Sequence, residues 1–299
     1  MVALVVSDGA QLRQMNTKCC LTAAEMEAVF AAAPRLQVLN ASLMGACSEL
    51  LPFLRNDAPY GPLRVSQALV WSGDEDDMVA FPPAVASHAS LKSLRIGDEM
   101  APVLVNALVD ASAERYVSRL VVENCELDAE IVPALTRLLR RGSLTYLDVS
   151  GLGFPHTSEA RVQELCAALR ECRSLTDLTL WLKPPGGASP GDVTGLLDAI
   201  AALPALSELD LSVSLLQDKV AFGRAVGALL SANLPSLHIL DVSHCQLGDE
   251  GLAPVLDGLA ANTHLRELEC RTNSLSDAFE RDRLDPALAA LAARARFDA

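Results

Sequence analysis

One phrase returns at regular intervals along this chain. It reads Leu144-Thr145-Tyr146-Leu147-Asp148-Val149-Ser150, then Leu206-Ser207-Glu208-Leu209-Asp210-Leu211-Ser212, then Leu237-His238-Ile239-Leu240-Asp241-Val242-Ser243. The shared pattern is L-x-x-L-x-L, and looser copies start at Leu36, Leu63, Leu91, Val117, Leu175 and Leu265. Successive starts lie 27, 28, 26, 27, 31, 31, 31 and 28 residues apart. A period this steady marks a repeat architecture, in which each unit is one supersecondary element stacked on the next. The copies from Val117 onward are clear. Leu91-Lys92-Ser93-Leu94-Arg95-Ile96 is good but has a shortened loop after it, and Leu63-Arg64-Val65-Ser66-Gln67-Ala68 rests on spacing alone. A degenerate first unit lies near Gln11 to Leu21, where Cys19-Cys20-Leu21 precedes a helical pattern.

Between the phrases the apolar period changes from 2 to about 3.6. Val162, Leu165, Cys166 and Leu169 share one helical face, as do Val193, Leu196, Leu197 and Ile200, and again Leu252, Val255, Leu256 and Leu259. Thr22-Ala23-Ala24-Glu25 has capping-box spacing and predicts a helix start. Each unit is therefore a short strand, a turn and a helix. Alone it cannot bury both apolar faces, so it must stack. The composition agrees: 51% of the 299 residues are hydrophobic but only 4% aromatic, leaving Leu, Ala and Val to fill the interior.

Charge and thiols narrow the setting. Lys and Arg number 24 against 38 Asp and Glu, a net charge of −14. A duplex-binding protein carries a basic footprint, so no nucleic acid partner is expected. The opening Met1-Val2-Ala3-Leu4-Val5-Val6-Ser7-Asp8 lacks the basic stretch of a signal peptide. No run approaches the ~18 apolar residues of a spanning helix, so no membrane insertion is expected. Eight cysteines in such a chain predict reduced thiols and a cytoplasmic location.

At this point the units resemble leucine-rich repeats of the ribonuclease-inhibitor and RanGAP-like subtype, which carry Asn or Cys after the strand. The residues that carry the resemblance are Val117-x-x-Leu120-x-Val122-x-x-Cys125-x-Leu127, Leu237-x-x-Leu240-x-Val242-x-x-Cys245-x-Leu247 and Leu265-x-x-Leu268-x-Cys270-x-x-Asn273-x-Leu275. It covers roughly residues 12 to 297. What it implies is an α/β solenoid, a horseshoe with its parallel sheet on the concave face and helices on the convex face. As a single domain over 1–299, it would hold a degenerate N-terminal cap at 1–35, repeats over 36–275 and a C-terminal capping helix at 276–299. Leu152, Lys183 and Ser214 occupy the Asn/Cys position of three units, whose loops must satisfy backbone groups otherwise. The Pro- and Gly-rich Lys183 to Gly191, the stretch Asn56 to Pro62 and the acidic run Asp74 to Asp77 read as turns in one solenoid.

Candidate chemistry is thin. Cys125 and Cys245 fall where the family places a buried side chain, and no C-x-x-C offers zinc spacing. Asp-x-Ser recurs at Asp148/Ser150, Asp210/Ser212 and Asp241/Ser243, with His244 adjacent, yet no G-x-S-x-G elbow supports a nucleophile. His88, His156, His238, His244 and His264 lack any metal-ligand spacing, and no Gly-rich phosphate loop is present. No cofactor, metal or catalytic residue is expected, and the chain is not read as an enzyme.

The strand faces say more. Counting the opening leucine as zero, positions two, four and six of each phrase face out from the sheet. From Leu144 onward they hold Asp148, Asp177, Glu208, Asp210, Asp241, Glu267 and Glu269, with a single base, Arg271, and the large indole of Trp181. An acidic face with an aromatic anchor suits a protein partner with a basic surface, and a non-enzymatic interaction scaffold is the first expectation. The family resemblance leaves two alternatives: a GTPase-activating or GTPase-regulating protein of RanGAP type, and the substrate-recognition subunit of a ubiquitin ligase. No residue carries over from a catalytic motif and no F-box-like segment is evident.

Overall fold

The L-x-x-L-x-L phrases become parallel strands, and the helix-period stretches become the helices that return between them. This is seen in a computed structural model, which describes residues 14–36, 38–57, 60, 64–123, 131–150, 159–182 and 190–297. The fold is an α/β leucine-rich-repeat solenoid. Its chain divides into two compact units, residues 1–126 and 127–299. In the first, strands β1 (Gln14–Leu21), β2 (Val38–Ala46), β3 (Arg64–Gly73), β4 (Ser93–Met100) and β5 (Arg119–Glu123) alternate with helices α1 (Ala23–Ala32), α2 (Cys47–Arg55), α3 (Phe81–Ser87) and α4 (Pro102–Arg115). The second begins with α5 (Ile131–Arg140). It continues through β6 (Tyr146–Ser150), α6 (Glu159–Glu171), β7 (Asp177–Leu180), α7 (Pro190–Ile200), β8 (Glu208–Asp210), α8 (Lys219–Ser231), β9 (Ile239–Asp241), α9 (Gly248–Ala261) and β10 (Glu267–Glu269). A single turn, α10 (Asp277–Phe279), leads to the closing helix α11 (Asp285–Phe297).

Register is set by the third position of the phrase. In the second unit Leu147, Leu178, Leu209, Leu240 and Leu268 pair rung to rung, none more than 6% exposed. In the first unit the same row runs Leu21, Leu43, Ala68, Leu94 and Leu120, all buried. Each buried leucine contributes roughly 1.5–3 kcal/mol, and only the next rung can cover it.

The pairing corrects the weak copy. Ala68 lies beside Leu94 and Val70 beside Ile96. The third phrase is therefore Val65-x-x-Ala68-x-Val70, two residues later than the Leu63 start, and Leu63 lies outside the described residues. Val65, Ala68 and Val70 are buried while Ser66 is exposed, which is what selects this register. β2 is offset as well: Met44 rather than Asn40 sits beside Leu69, and one residue of β3 is skipped between Ala41 and Ser42.

Turns explain why strands shorten in the second unit. Val213, His244 and Thr272, each seven residues after an opening leucine, take positive φ of 57°, 59° and 57° and end the extended run. β3 and β4 meet no such residue. β4 runs to Met100, and Ala101 is already the N-cap of α4, which accounts for the shortened loop.

The expected Asn/Cys slot is occupied as the resemblance implied. Asn273 donates to the Val242 and Cys270 carbonyls at 2.9 and 2.8 Å and accepts from the Leu247 amide at 3.2 Å. The Cys245 thiol donates toward the Leu211 carbonyl at 3.3 Å. Ser214, fully buried, fills the slot of a divergent unit by accepting from the Leu182 amide at 3.0 Å. Cys125, Leu152, Lys183 and most of the 183–191 insertion lie outside the described residues.

Both expected terminal helices form. Thr22 and Glu25 make the reciprocal capping box of α1, with Thr22 N–H to Glu25 at 3.0 Å and Glu25 N–H to Thr22 at 3.3 Å. At the other end Arg294 of α11 donates to the Asn262 and Leu265 carbonyls.

Two packing features generate tests. Helices α8 and α9 touch backbone to backbone: a Cβ on Gly227 would stand 2.2 Å from the Pro254 carbonyl oxygen, and one on Gly223 only 1.8 Å from that of Gly251. Gly195 in α7 faces open space. Gly227→Ala is expected to cost about 1–3 kcal/mol by overpacking. Gly195→Ala is expected to gain up to ~1 kcal/mol from helix propensity; urea melts of the pair check the contrast.

The second feature is His88, 3% exposed. Its Nδ1 donates to the Leu54 carbonyl at 2.9 Å, while Nε2 accepts from the Val65 amide at 3.3 Å. The Nε2 bond needs the neutral ring, while the Nδ1 donor would survive protonation. Burial, and then the Arg115 guanidinium, hold the imidazole below its ordinary 6.5. The unfolded chain therefore takes up the proton first, and stability falls as the pH drops below 6.5 until the folded ring itself titrates. His88→Phe should cost about 2–4 kcal/mol near neutrality through two orphaned backbone groups, and should flatten that acid-side decline in denaturant titrations.

Candidate functional site

A leucine ladder inside forces an equally strict ladder outside. Position two of the second unit reads Tyr146, Asp177, Glu208, Ile239 and Glu267 on successive rungs. Position four reads Asp148, Thr179, Asp210, Asp241 and Glu269. One residue beyond position five stand Ser150, Trp181, Ser212, Ser243 and Arg271. The residues singled out from the sequence are thus brought onto one sheet face. Rungs about 4.8 Å apart set unit charges against each other at roughly 0.9 kcal/mol per pair in water.

The carboxylates differ in how they are held. Asp210 accepts from the Ser212 amide at 2.8 Å and Asp241 from the Ser243 amide at 2.7 Å. These are Asx turns: each aspartate closes the end of its own strand. The repeated Asp-x-Ser is therefore backbone chemistry. Ser243 extends it by accepting from the Arg271 amide at 3.1 Å. Glu269 is paired with the one base of the stripe, Arg271, through bonds of 2.9 and 3.0 Å. Asp148, in the same outward row, is only 9% exposed.

Glu208 has no cationic partner among the described residues. Partial burial first, then the charges of Asp177 and Asp210 and more distantly Glu267, hold its carboxyl above the ordinary value of 4.5. This is the focus of negative charge on the face. Ile239, half-buried beside it on the next rung, offers an apolar contact that sequence reading passed over in favour of the acids. Trp181 is half-buried, its indole N–H turned out of solvent with no acceptor among the described residues. The exposed part of the ring is therefore carbon.

Five of the seven described thiols belong to the interior. Burial pushes Cys245 up to about 12, Cys47 to about 12 and Cys270 to about 11, where the nucleophilic thiolate is scarce. Cys166 and Cys172 are buried as well, and Cys19 and Cys20 on β1 are exposed. Among the described residues no His, Cys, Asp or Glu group could hold a metal, and no helix is long and apolar enough to cross a membrane.

Comparison with known proteins adds little. No family profile and no curated protein matches the chain. Among solved structures, it is similar to a leiomodin-1 structure described as actin-binding site 2, at 14% identity over 47% of this chain and 75% of that one, with a TM-score of 0.35. It is also similar to a chain in the crystal structure of the Rad7 and Elc1 complex in yeast, at 15% identity over 90% of this chain and 72% of that one, with a TM-score of 0.45. Neither likeness assigns a function here.

The electrostatics of Glu208 yield a test of this site. Its raised value means the ionised form opposes folding, so acidification into the carboxylate range relieves the folded state. Glu208→Gln should raise stability near neutral pH by a few tenths of a kcal/mol, about the size of a screened surface pair. The gain should vanish at acid pH, as read from paired thermal melts.

Proposed function

We propose that the chain is a non-enzymatic protein-interaction scaffold, and that the sheet face of its second unit receives a partner with a basic surface. Asp177, Glu208, Asp210, Asp241, Glu267 and Glu269 supply the charge, and Trp181 with Ile239 supplies the apolar contact. The observation that carries this reading is the unrelieved carboxylate Glu208, held among Asp177, Asp210 and Glu267. A solvated face under no demand could carry Ser or Asn at these positions. Here the chain keeps acids whose mutual repulsion a cationic partner converts into attraction and faster association. The filled Asn/Cys/Ser slot, together with helices of 13 and 14 residues in α8 and α9, supports the ribonuclease-inhibitor and RanGAP-like subtype. The buried thiols fit a reducing, cytoplasmic setting.

The Asx turns dictate how this is tested. Asn keeps the oxygen that accepts the amide two residues on, so Asp210→Asn and Asp241→Asn remove charge and leave the turn intact. Combined with Glu208→Gln, they should weaken binding of an oligolysine peptide about tenfold or more, and the parent's affinity should fall steeply with salt. Trp181→Ala should cost about 2 kcal/mol if the ring is an anchor. Isothermal titration reads both. Unchanged affinity in the triple amide variant would reduce the stripe to a solvated face.

A further inference from the structure

The outward rows of the second unit have a spacing as well as a charge. On β7, β8, β9 and β10 position two reads Asp177, Glu208, Ile239 and Glu267, which is acid, acid, apolar, acid. Glu208 and Glu267 are exposed, while Asp177 and Ile239 are half-buried. Position four runs alongside as Thr179, Asp210, Asp241 and Glu269, all half-buried. No base stands on these four strands; Arg266 and Arg271 flank β10, and Arg271 is taken up by Glu269. Along a single strand the charge is short, as in Glu208 with Asp210 or Glu267 with Glu269. Its long axis runs across the strands, so an occupant that meets most of it must cross them too.

Spacing decides what form that occupant takes. Rungs lie about 4.8 Å apart, so the row from Asp177 to Glu267 spans about 14 Å. A helix rises about 1.5 Å per residue, so side chains at i, i+4, i+7 and i+11 share one face over about 16.5 Å. The misfit is about 2 Å over the whole row. An extended chain turns every second residue to one face, so four side chains cover about 20 Å, a misfit of about 6 Å. A polyproline helix repeats every ~9 Å and fits worse. Long cationic side chains absorb 2 Å of misfit, but the contact on Ile239 lacks that reach and fixes the register. A helix about 10 Å wide also covers position four, which lies one alternate-residue step of roughly 6.7 Å away.

We infer that the occupant of this face is a basic amphipathic α-helix of a partner protein, laid across β7 to β10. It sets cations on Asp177, Glu208 and Glu267 and an apolar side chain on Ile239, one per turn of helix. The inference rests on the reading of the acidic face given above and narrows it. The partner is recognised by three Lys or Arg and one aliphatic residue at i, i+4, i+7 and i+11, with the aliphatic residue second from one end.

Anisotropy of labelled, alanine-based helical peptides tests it. One peptide carries Lys, Lys, Leu and Lys at those four positions, and a second carries Lys, Leu, Lys and Lys, which covers both directions along the rungs. A third has the same composition with the four residues scattered around the helix. A fourth keeps the first order but breaks the helix with two prolines. One of the two patterned helices should bind about tenfold tighter or more than the scattered and proline-broken peptides. Ile239→Thr should erase most of that margin and leave the affinity for oligolysine unchanged. Urea midpoints establish that the variant folds; if it does not, replacing the peptide leucine by serine must show the same loss against the parent protein. Equal or tighter binding of the scattered or proline-broken peptide overturns the inference. Oligolysine that still loses affinity to the triple amide variant then leaves the acidic-face reading standing. Failure of every peptide and of oligolysine sinks both.

Discussion

Everything in this molecule follows from stacking identical positions directly over one another. A parallel rung places Leu209 on Leu178 and Leu240 on Leu209, and the same translation places Asp241 on Asp210. Inside, repetition is favourable, because leucine covers leucine and no unit can cover itself. Outside, repetition concentrates whatever chemistry the exposed positions carry. The core and the candidate interface are two sides of one register, and a slip of one residue would exchange them.

The outward ladder shows how the chain lives with that constraint. Two aspartates turn their charge to structural use as Asx caps, and one glutamate is matched by an arginine two residues on. Glu208 is left with neighbours of its own sign. In the first unit the same outward rows are mixed, Gln67, Ser93 and Arg119 in one and Leu69, Arg95 and Val121 in the other. Concentration of one charge along a row is what a strict repeat permits and an irregular fold makes difficult. Changing one position of the phrase recolours a whole row.

Much of this was legible beforehand, and the reasons are physical. The Leu147 to Leu268 row announced itself because only leucine fills that slot in the second unit, and Thr22 with Glu25 announced a helix because the cap needs those groups at that spacing. The stripe residues fell on one face because strand alternation leaves no freedom. What stayed hidden depended on small side chains and on backbone. Ala68 in a leucine slot concealed the true register of β3. The glycine contacts of α8 and α9 lie between units distant from any motif. Asp-x-Ser could be set aside as a nucleophile from the sequence, but its part in closing the strand shows only in the amides of Ser212 and Ser243.

The turn slot after the strand has a kinetic meaning. Asn273 ties its repeat to the one before through the Val242 carbonyl and the Leu247 amide, whereas Cys245 reaches back to Leu211 with a single soft thiol proton. Neighbouring joints in one stack are thus of unequal strength. In a solenoid, opening proceeds joint by joint. At the seam between the repeats of Leu206 and Leu237 the backbone contact of α8 with α9 takes the part that the thiol does not, so this joint is held on its helical side and the next one at its turn.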